Sequence, residues 1–173
     1  MPVSTLPSCF QSYKPTHMKV YGAICINEKG EVLLVHGRKS GKWSLPKGHK
    51  KYNETALECS GRELKEETNI VAPEKYVSFH KLYAASYYVF AFEDTPKTKI
   101  NDHSEIDEIK WFPLTNLPEE NANVDVSIFR SIMKSIRYGQ DEVEYISSDF
   151  AHKKVTYIKN QIEKEKKEQQ IIG

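Results

Sequence analysis

The chain has only three cysteines in 173 residues, Cys9, Cys25 and Cys59. So odd and sparse a set argues against a disulfide scaffold, and no spacing among them fits a zinc site. Reduced thiols in a cytoplasmic protein are the simplest expectation. No stretch approaches the roughly 20 apolar residues that a membrane crossing needs, so no membrane partner is expected. The N-terminus lacks a basic segment followed by an apolar run, which argues against a secretory leader. No internal repeat or second domain is evident. Lys and Arg number 25 against 24 Asp and Glu, a net charge of +1. That balance excludes a uniformly basic nucleic-acid coat. A hydrophobic content of 39% and a charged content of 28% suit one soluble domain with a real core.

Acid is also missing locally. Between His36 and Asn53 there is no Asp or Glu, yet Arg38, Lys39, Lys42, Lys47, Lys50 and Lys51 all fall there. Lysines are mostly exposed in any protein, so a plain solvated surface accounts for them on its own. Their place directly before an acidic segment favours a second account, in which they bind a polyphosphate substrate.

That acidic segment runs from Gly48 to Ile70 and ends in Glu63, Glu66 and Glu67. At about 100° per residue, a helix puts these three carboxylates on one face. A run such as R-E-L-K-E-E is ordinarily a solvated helix face with ion pairs one turn apart. Anions this close also suit a hard divalent cation with oxygen ligands. The wider spacing decides between the two. The segment resembles the Nudix box, G-x5-E-x7-R-E-U-x-E-E-x-G-U with U a bulky aliphatic. Gly48, Glu54, Arg62, Glu63, Leu64, Glu66, Glu67 and Ile70 match, and only Asn69 departs, where the box has Gly. A residue closing a helix often takes positive φ, and Asn tolerates that conformation best after Gly, so the turn is expected to survive.

The resemblance implies an α/β fold, a Nudix-type α/β/α sandwich with a mixed β-sheet and a C-terminal helical extension. The expected organisation is an irregular N-terminal arm over 1–17, a Nudix hydrolase domain over 18–140 and a helical tail over 141–173. Pattern places strands at Met18–Asn27, Val32–His36, Tyr76–Leu82, Ala84–Phe92 and Ile106–Pro113. Trp43–Leu45 reads as a short extended piece and Pro46–Gly48 as a turn. The box helix is expected from Asn53, as N-cap, to Thr68, with Leu57, Gly61 and Leu64 toward the sheet and Gly61 there for close packing. A second helix is expected over Val124–Arg137. Cys59 reads as a packing residue.

Function follows from the same resemblance. Nudix hydrolases cleave a diphosphate linkage in nucleotide-derived substrates, with Mg²⁺ or Mn²⁺ as cofactor. Glu63, Glu66 and Glu67 would be metal ligands, with the Gly48 carbonyl as a further one. Arg62 would orient a carboxylate, and Glu54 would lie near the metals or hold the loop. The group that activates water is left open between a box glutamate and Glu105, which begins the string E-I-D-E-I-K-W-F.

Trp43-Ser-Leu-Pro-Lys-Gly followed by that string resembles mRNA-decapping catalytic domains. Pro46–His49 is closer to dinucleoside polyphosphate hydrolases, and diphosphoinositol polyphosphate hydrolases are a third relative. Decapping enzymes carry a regulatory domain ahead of the Nudix fold, whereas 17 residues precede Met18 here. Capped RNA would then need other surfaces, with Arg130, Lys134 and Arg137 of the second helix and Lys153, Lys154 and Lys159 of the tail as basic candidates, all equally at home as solubilising residues, and Trp43, Tyr83, Tyr87 and Tyr88 as stacking candidates. A Nudix-fold module that binds without catalysis is the non-enzymatic alternative.

Overall fold

The computed structural model of the chain describes residues 19–138 and Lys167. The expected arm over 1–17 and the tail over 141–173, Lys167 apart, lie outside the described residues. Two apolar runs form the centre. Ala23–Ile26 and Val32–Val35 are fully buried, as befits strands covered on both faces. They belong to β1 (Val20–Ile26) and β2 (Glu31–Gly37), joined by a turn in which Gly30 takes φ 74°. Alternation then sends each strand's residues two ways. Ile24, Ile26, Val32 and Leu34 enter one apolar cluster, while Ala23, Cys25 and Leu33 enter another on the opposite face.

Each face is covered by one helix. Leu64 and the half-buried Leu57 of α1 (Ala56–Thr68) close the second cluster, with Ile70 and Phe90. Val126, Phe129 and Met133 of α2 (Val124–Tyr138) close the first. The layers are therefore helix, sheet, helix, the expected α/β/α sandwich.

β1 and β2 touch in register only at Ile26 and Val32, then splay. The gap is filled by the chain between them and α1. β3 (Trp43–Ser44) pairs with the end of β2, and β4 (Lys47–His49) pairs antiparallel with the start of β1. The expected turn at Pro46–Gly48 is thus largely a strand, because β1 would otherwise present unpaired backbone on that side. The wedge fits only because of Gly22, where a Cβ would lie 2.2 Å from the Pro46 carbonyl. β5 (Ser78–Lys81) and β6 (Ser86–Ala91) form a hairpin whose second strand runs parallel to β1. β7 (Ile106–Pro113) lies antiparallel to β2, so the sheet is mixed.

The β5–β6 hairpin is shorter than its sequence pattern because its turn is held by a buried carboxylate. Asp125 accepts from the amides of Tyr83, Ala84 and Ala85 and from the Tyr87 hydroxyl at 2.6 Å. Tyr87 is thereby buried and unavailable for base stacking.

Two expectations about α1 are corrected. The N-cap is Thr55, not Asn53: its hydroxyl accepts from Glu58 N–H at 3.1 Å while Glu58 accepts from Thr55 N–H at 2.9 Å. This reciprocal box satisfies two donors that Asn53 could not reach. Nor does Gly61 serve close packing, since a Cβ there would meet only Ala72, at an ordinary 3.8 Å. Asn69 ends the helix at φ 66°, its N–H bonded to the Lys65 carbonyl, as its place in the sequence led one to expect. Gly61→Ala should therefore raise stability by about 1 kcal/mol in chemical denaturation. A loss of stability would reveal a crowded site that the Ala72 distance does not suggest.

Candidate active site

α1 carries its carboxylates to the edge of the β4 wedge. Glu63 lies so close to the backbone there that a Cβ on Gly48 would fall 2.1 Å from its carboxylate. Glycine at 48 is thus required by close approach, not by an unusual φ. Glu67 reaches the next residue back, accepting from the Lys47 amide at 2.9 Å. Glu66 points further outward, with its side chain 53% exposed.

Arg62 binds this group together. Its guanidinium donates to both oxygens of Glu54 at 2.7 and 2.9 Å, to Glu63 at 2.9 Å, to Glu66 at 3.1 Å and to the His49 carbonyl at 2.9 Å. Glu54 in turn accepts from the Lys51 amide at 2.8 Å, so it holds the 50–54 loop onto α1. The hydrogen bonds from Arg62 lower the Glu54 carboxyl to about 2, against an ordinary value of 4.5.

The other two inward carboxylates shift the opposite way. Burial, then the charge of Glu63, pushes Glu67 up to about 8. Burial also raises Glu63, with Glu66 and Glu105 adding repulsion and Arg62 opposing it. Glu105 sits in the turn before β7, exposed, yet its charge is felt by both Glu63 and Glu67. Elements far apart in the chain therefore bring acidic groups near enough for their charges to act on one another.

A hard divalent cation fits this donor set. The groups are carboxylate oxygens, burial and mutual repulsion raise two of them, and the backbone at Gly48 is bare enough for close approach. Among the described residues no three side chains yet stand about a single point in coordinating geometry. Arg62 occupies oxygens of Glu63 and Glu66, and the Lys47 amide occupies one of Glu67. Besides its place opposite Tyr21 in the β1–β4 ladder, the Gly48 carbonyl takes a weak contact from the Cys59 thiol at 3.5 Å. That thiol is buried and raised to about 11, chiefly by burial, consistent with packing rather than chemistry.

The basic residues divide. Lys39, Lys42 and Lys51 are exposed, and the charge of Lys47 acts on Glu67. The Lys50 ammonium is committed to the carbonyls of Lys51 and Glu54, which makes it a loop brace. Arg38 donates through Nε to the His103 carbonyl. On α2, Arg130 pairs with Glu119 at 3.3 Å, and Lys134 is exposed. Trp43 is half-buried between the edges of His36 and Phe112. Asn101 and His103, which hold the Glu105 segment through main-chain contacts, carry no signal in the sequence.

Two titrations follow with opposite signs. Glu54 has its folded value depressed, so its contribution is complete above pH 4.5 and is lost as pH falls toward 2. Arg62→Ala should cost about 2–3 kcal/mol at pH 6 and clearly less at pH 3, read by urea denaturation. Equal deficits would mean that the Glu54 pairing does not hold the loop. Glu67 has its folded value raised, so the metal-free fold is favoured below pH 4.5 and loses stability as pH rises toward 8. Mg²⁺ should therefore raise Tm more at pH 8 than at pH 6, and Glu67→Gln should remove most of that difference. A rise independent of pH would disconnect Glu67 from metal binding.

A family model described as the NUDIX domain matches residues 16–132. The chain is 27% identical over 138 residues to the m7GpppN-mRNA hydrolase of Saccharomyces cerevisiae, covering 73% of this chain and 14% of that one. It is 38% identical over 127 residues to the mRNA-decapping enzyme subunit 2 of Arabidopsis thaliana, covering 66% and 33%. It thus spans a third or less of the length of these curated relatives. Among solved structures it is similar to the MutT protein of Methanosarcina mazei Go1, at TM-score 0.51 and 25% identity, covering 70% of this chain and 95% of that one. Box, fold and family model agree: the chain belongs to the Nudix family.

Proposed function

We propose that the chain is a divalent-metal-dependent hydrolase that cleaves a diphosphate linkage in a nucleotide-derived substrate. The observation that carries this is the set of acidic groups gathered beside β4, with Glu63 against Gly48, Glu67 on the Lys47 amide, Glu66 beside Glu63 on Arg62 and the charge of Glu105 acting on Glu63 and Glu67, with no box carboxylate missing. Glu63, Glu66 and Glu67, with the Gly48 carbonyl, would hold Mg²⁺ or Mn²⁺. When bound, such an ion offsets phosphate charge and polarises a water for attack.

The chain's own residues have distinct parts. Glu105 takes the proton of the attacking water, because Arg62 and the Lys47 amide leave it unoccupied while they hold the box carboxylates. Water oxygen bonds to one phosphorus, the bridging P–O bond breaks, and its electron pair leaves with the departing phosphate. Arg62 fixes Glu63 and Glu66 and ties Glu54 and the wedge to α1. Lys39, Lys42, Lys47 and Lys51 bind the polyphosphate, while Arg38 and Lys50 brace loops.

Capped mRNA is the substrate we favour, with a dinucleoside polyphosphate second. Likeness to the two decapping relatives supports the first, together with the E-I-D-E-I-K-W-F string from Glu105, which resembles decapping catalytic domains. The Pro46–His49 string supports the second. We take residues 18–140 as the catalytic unit and the cytoplasm as its place, in keeping with buried free thiols at Cys25 and Cys59.

A panel of capped RNA, dinucleoside tetraphosphate, nucleoside triphosphate and diphosphoinositol phosphate with Mg²⁺ or Mn²⁺ tests the reading. Release of capped nucleoside diphosphate from RNA is expected, with Glu66→Gln and Glu105→Gln each lowering kcat by about 100-fold or more. Turnover of only the small dinucleotide or inositol substrate would remove decapping. Binding of every probe with no turnover would favour the non-catalytic module.

A further inference from the structure

The segment that ends in Glu105 is tied at both ends. At α1, the Lys99 amide donates to the Thr68 carbonyl at 2.9 Å. The Asn101 side-chain amide donates to the carbonyls of Lys65 at 3.0 Å and Glu66 at 2.9 Å. These carbonyls belong to the last turn, where a helix leaves acceptors without intrahelical partners, and that of Lys65 takes the Asn69 amide as well. At β2, the Arg38 amide donates to the Glu105 carbonyl at 2.8 Å and its Nε to the His103 carbonyl at 2.5 Å. Between the ties Asp102 closes a turn: its carboxylate accepts from the Ser104 amide at 2.9 Å, and its carbonyl from the Glu105 and Ile106 amides at 3.2 and 3.1 Å. Behind it, His36 and Asp107 meet at 2.6 Å where the β2–β7 register slips between His36 and Gly37.

We propose that Asn101 and Arg38 are positioning residues that fix Glu105 relative to the glutamates of α1. The inference rests on Glu105 acting as the base. Asn101 bonds the backbone of Glu66 itself, so it references the loop directly to the helix that bears the metal-binding face. Arg38 grips the same loop from the sheet, through its main chain at Glu105 and its side chain two residues earlier. An exposed loop without these ties would let its carboxylate wander, and a misplacement of about 1 Å costs up to about 100-fold in rate. This gives Arg38 a role other than the phosphate contact its charge suggests. It also gives Asn101 one other than a plain helix cap, which would affect stability and leave turnover alone.

The test is a set of double-mutant cycles on capped RNA and on dinucleoside tetraphosphate. Asn101→Ala and Arg38→Ala are each made in the wild type and in Glu105→Gln. Each single change is expected to lower kcat about tenfold or more with KM within about twofold. In the Glu105→Gln background neither should cost anything further, because the group they position is gone. A loss of the same size in that background would overturn the proposal, as would a rise in KM alone for Arg38→Ala. If Glu105→Gln keeps the wild-type rate, the base assignment itself fails, a different result from additive losses. Amide exchange gives a readout independent of turnover: Asn101→Ala should speed exchange at Ser104–Ile106 while Tm stays within a few degrees. Unchanged exchange there would show that Asn101 does not hold the loop.

Discussion

The structure depends on how Arg62 offsets the anions around it. Glu54, Glu63 and Glu66 all take hydrogen bonds from one guanidinium, which also reaches the His49 carbonyl. A planar fork with five donors can serve several carboxylates at once, which an ammonium cannot do with comparable geometry. Without it, α1 and the loop before it would repel each other at the point where they must touch. The offset is incomplete, since Glu67 and Glu63 remain raised by burial and by neighbouring charge. That residual charge is what a divalent cation would relieve.

The remaining architecture delivers these groups. Splaying of β1 from β2 makes room for the wedge of β3 and β4, and Gly22 lets it seat. The Ser60 hydroxyl donates to the Gly22 carbonyl at 2.6 Å, which fastens α1 to the same strand. Gly48 then faces Glu63, and the Lys47 amide faces Glu67. On the far side, β2 and β7 hold Glu105 where its charge acts on Glu63 and Glu67, residues distant in the chain. The Asp125 clamp holds the hairpin on the opposite face, away from the chemistry, where a buried carboxylate with four donors stiffens the fold.

Much of this was legible in the sequence because it is local or periodic. Fixed spacing on one helix announced Glu63, Glu66, Glu67 and Arg62, and two unbroken apolar runs announced the central strands. Helix and strand cores were placed well, with the end of α1 at Asn69 among them. What escaped depends on tertiary contact. β4 is a strand only because β1 splays. Lys50 braces a loop because two carbonyls happen to lie within reach. Tyr87 is lost to base stacking because Asp125, 38 residues on, claims its hydroxyl. Asn101 looks like any polar loop residue until α1 ends beside it. The capping box at Thr55–Glu58 was a missed local signal, overshadowed by the better-known preference for Asn at such positions.

The central claim, that the gathered carboxylates form a divalent-metal site, is tested most directly by Mn²⁺ binding followed by electron paramagnetic resonance. The wild type should bind Mn²⁺, and Glu63→Gln and Glu67→Gln should each weaken binding about tenfold or more while the fold stays intact by circular dichroism. Mn²⁺ affinity unchanged in both variants would contradict the account and leave the carboxylate cluster as a purely structural partner of Arg62.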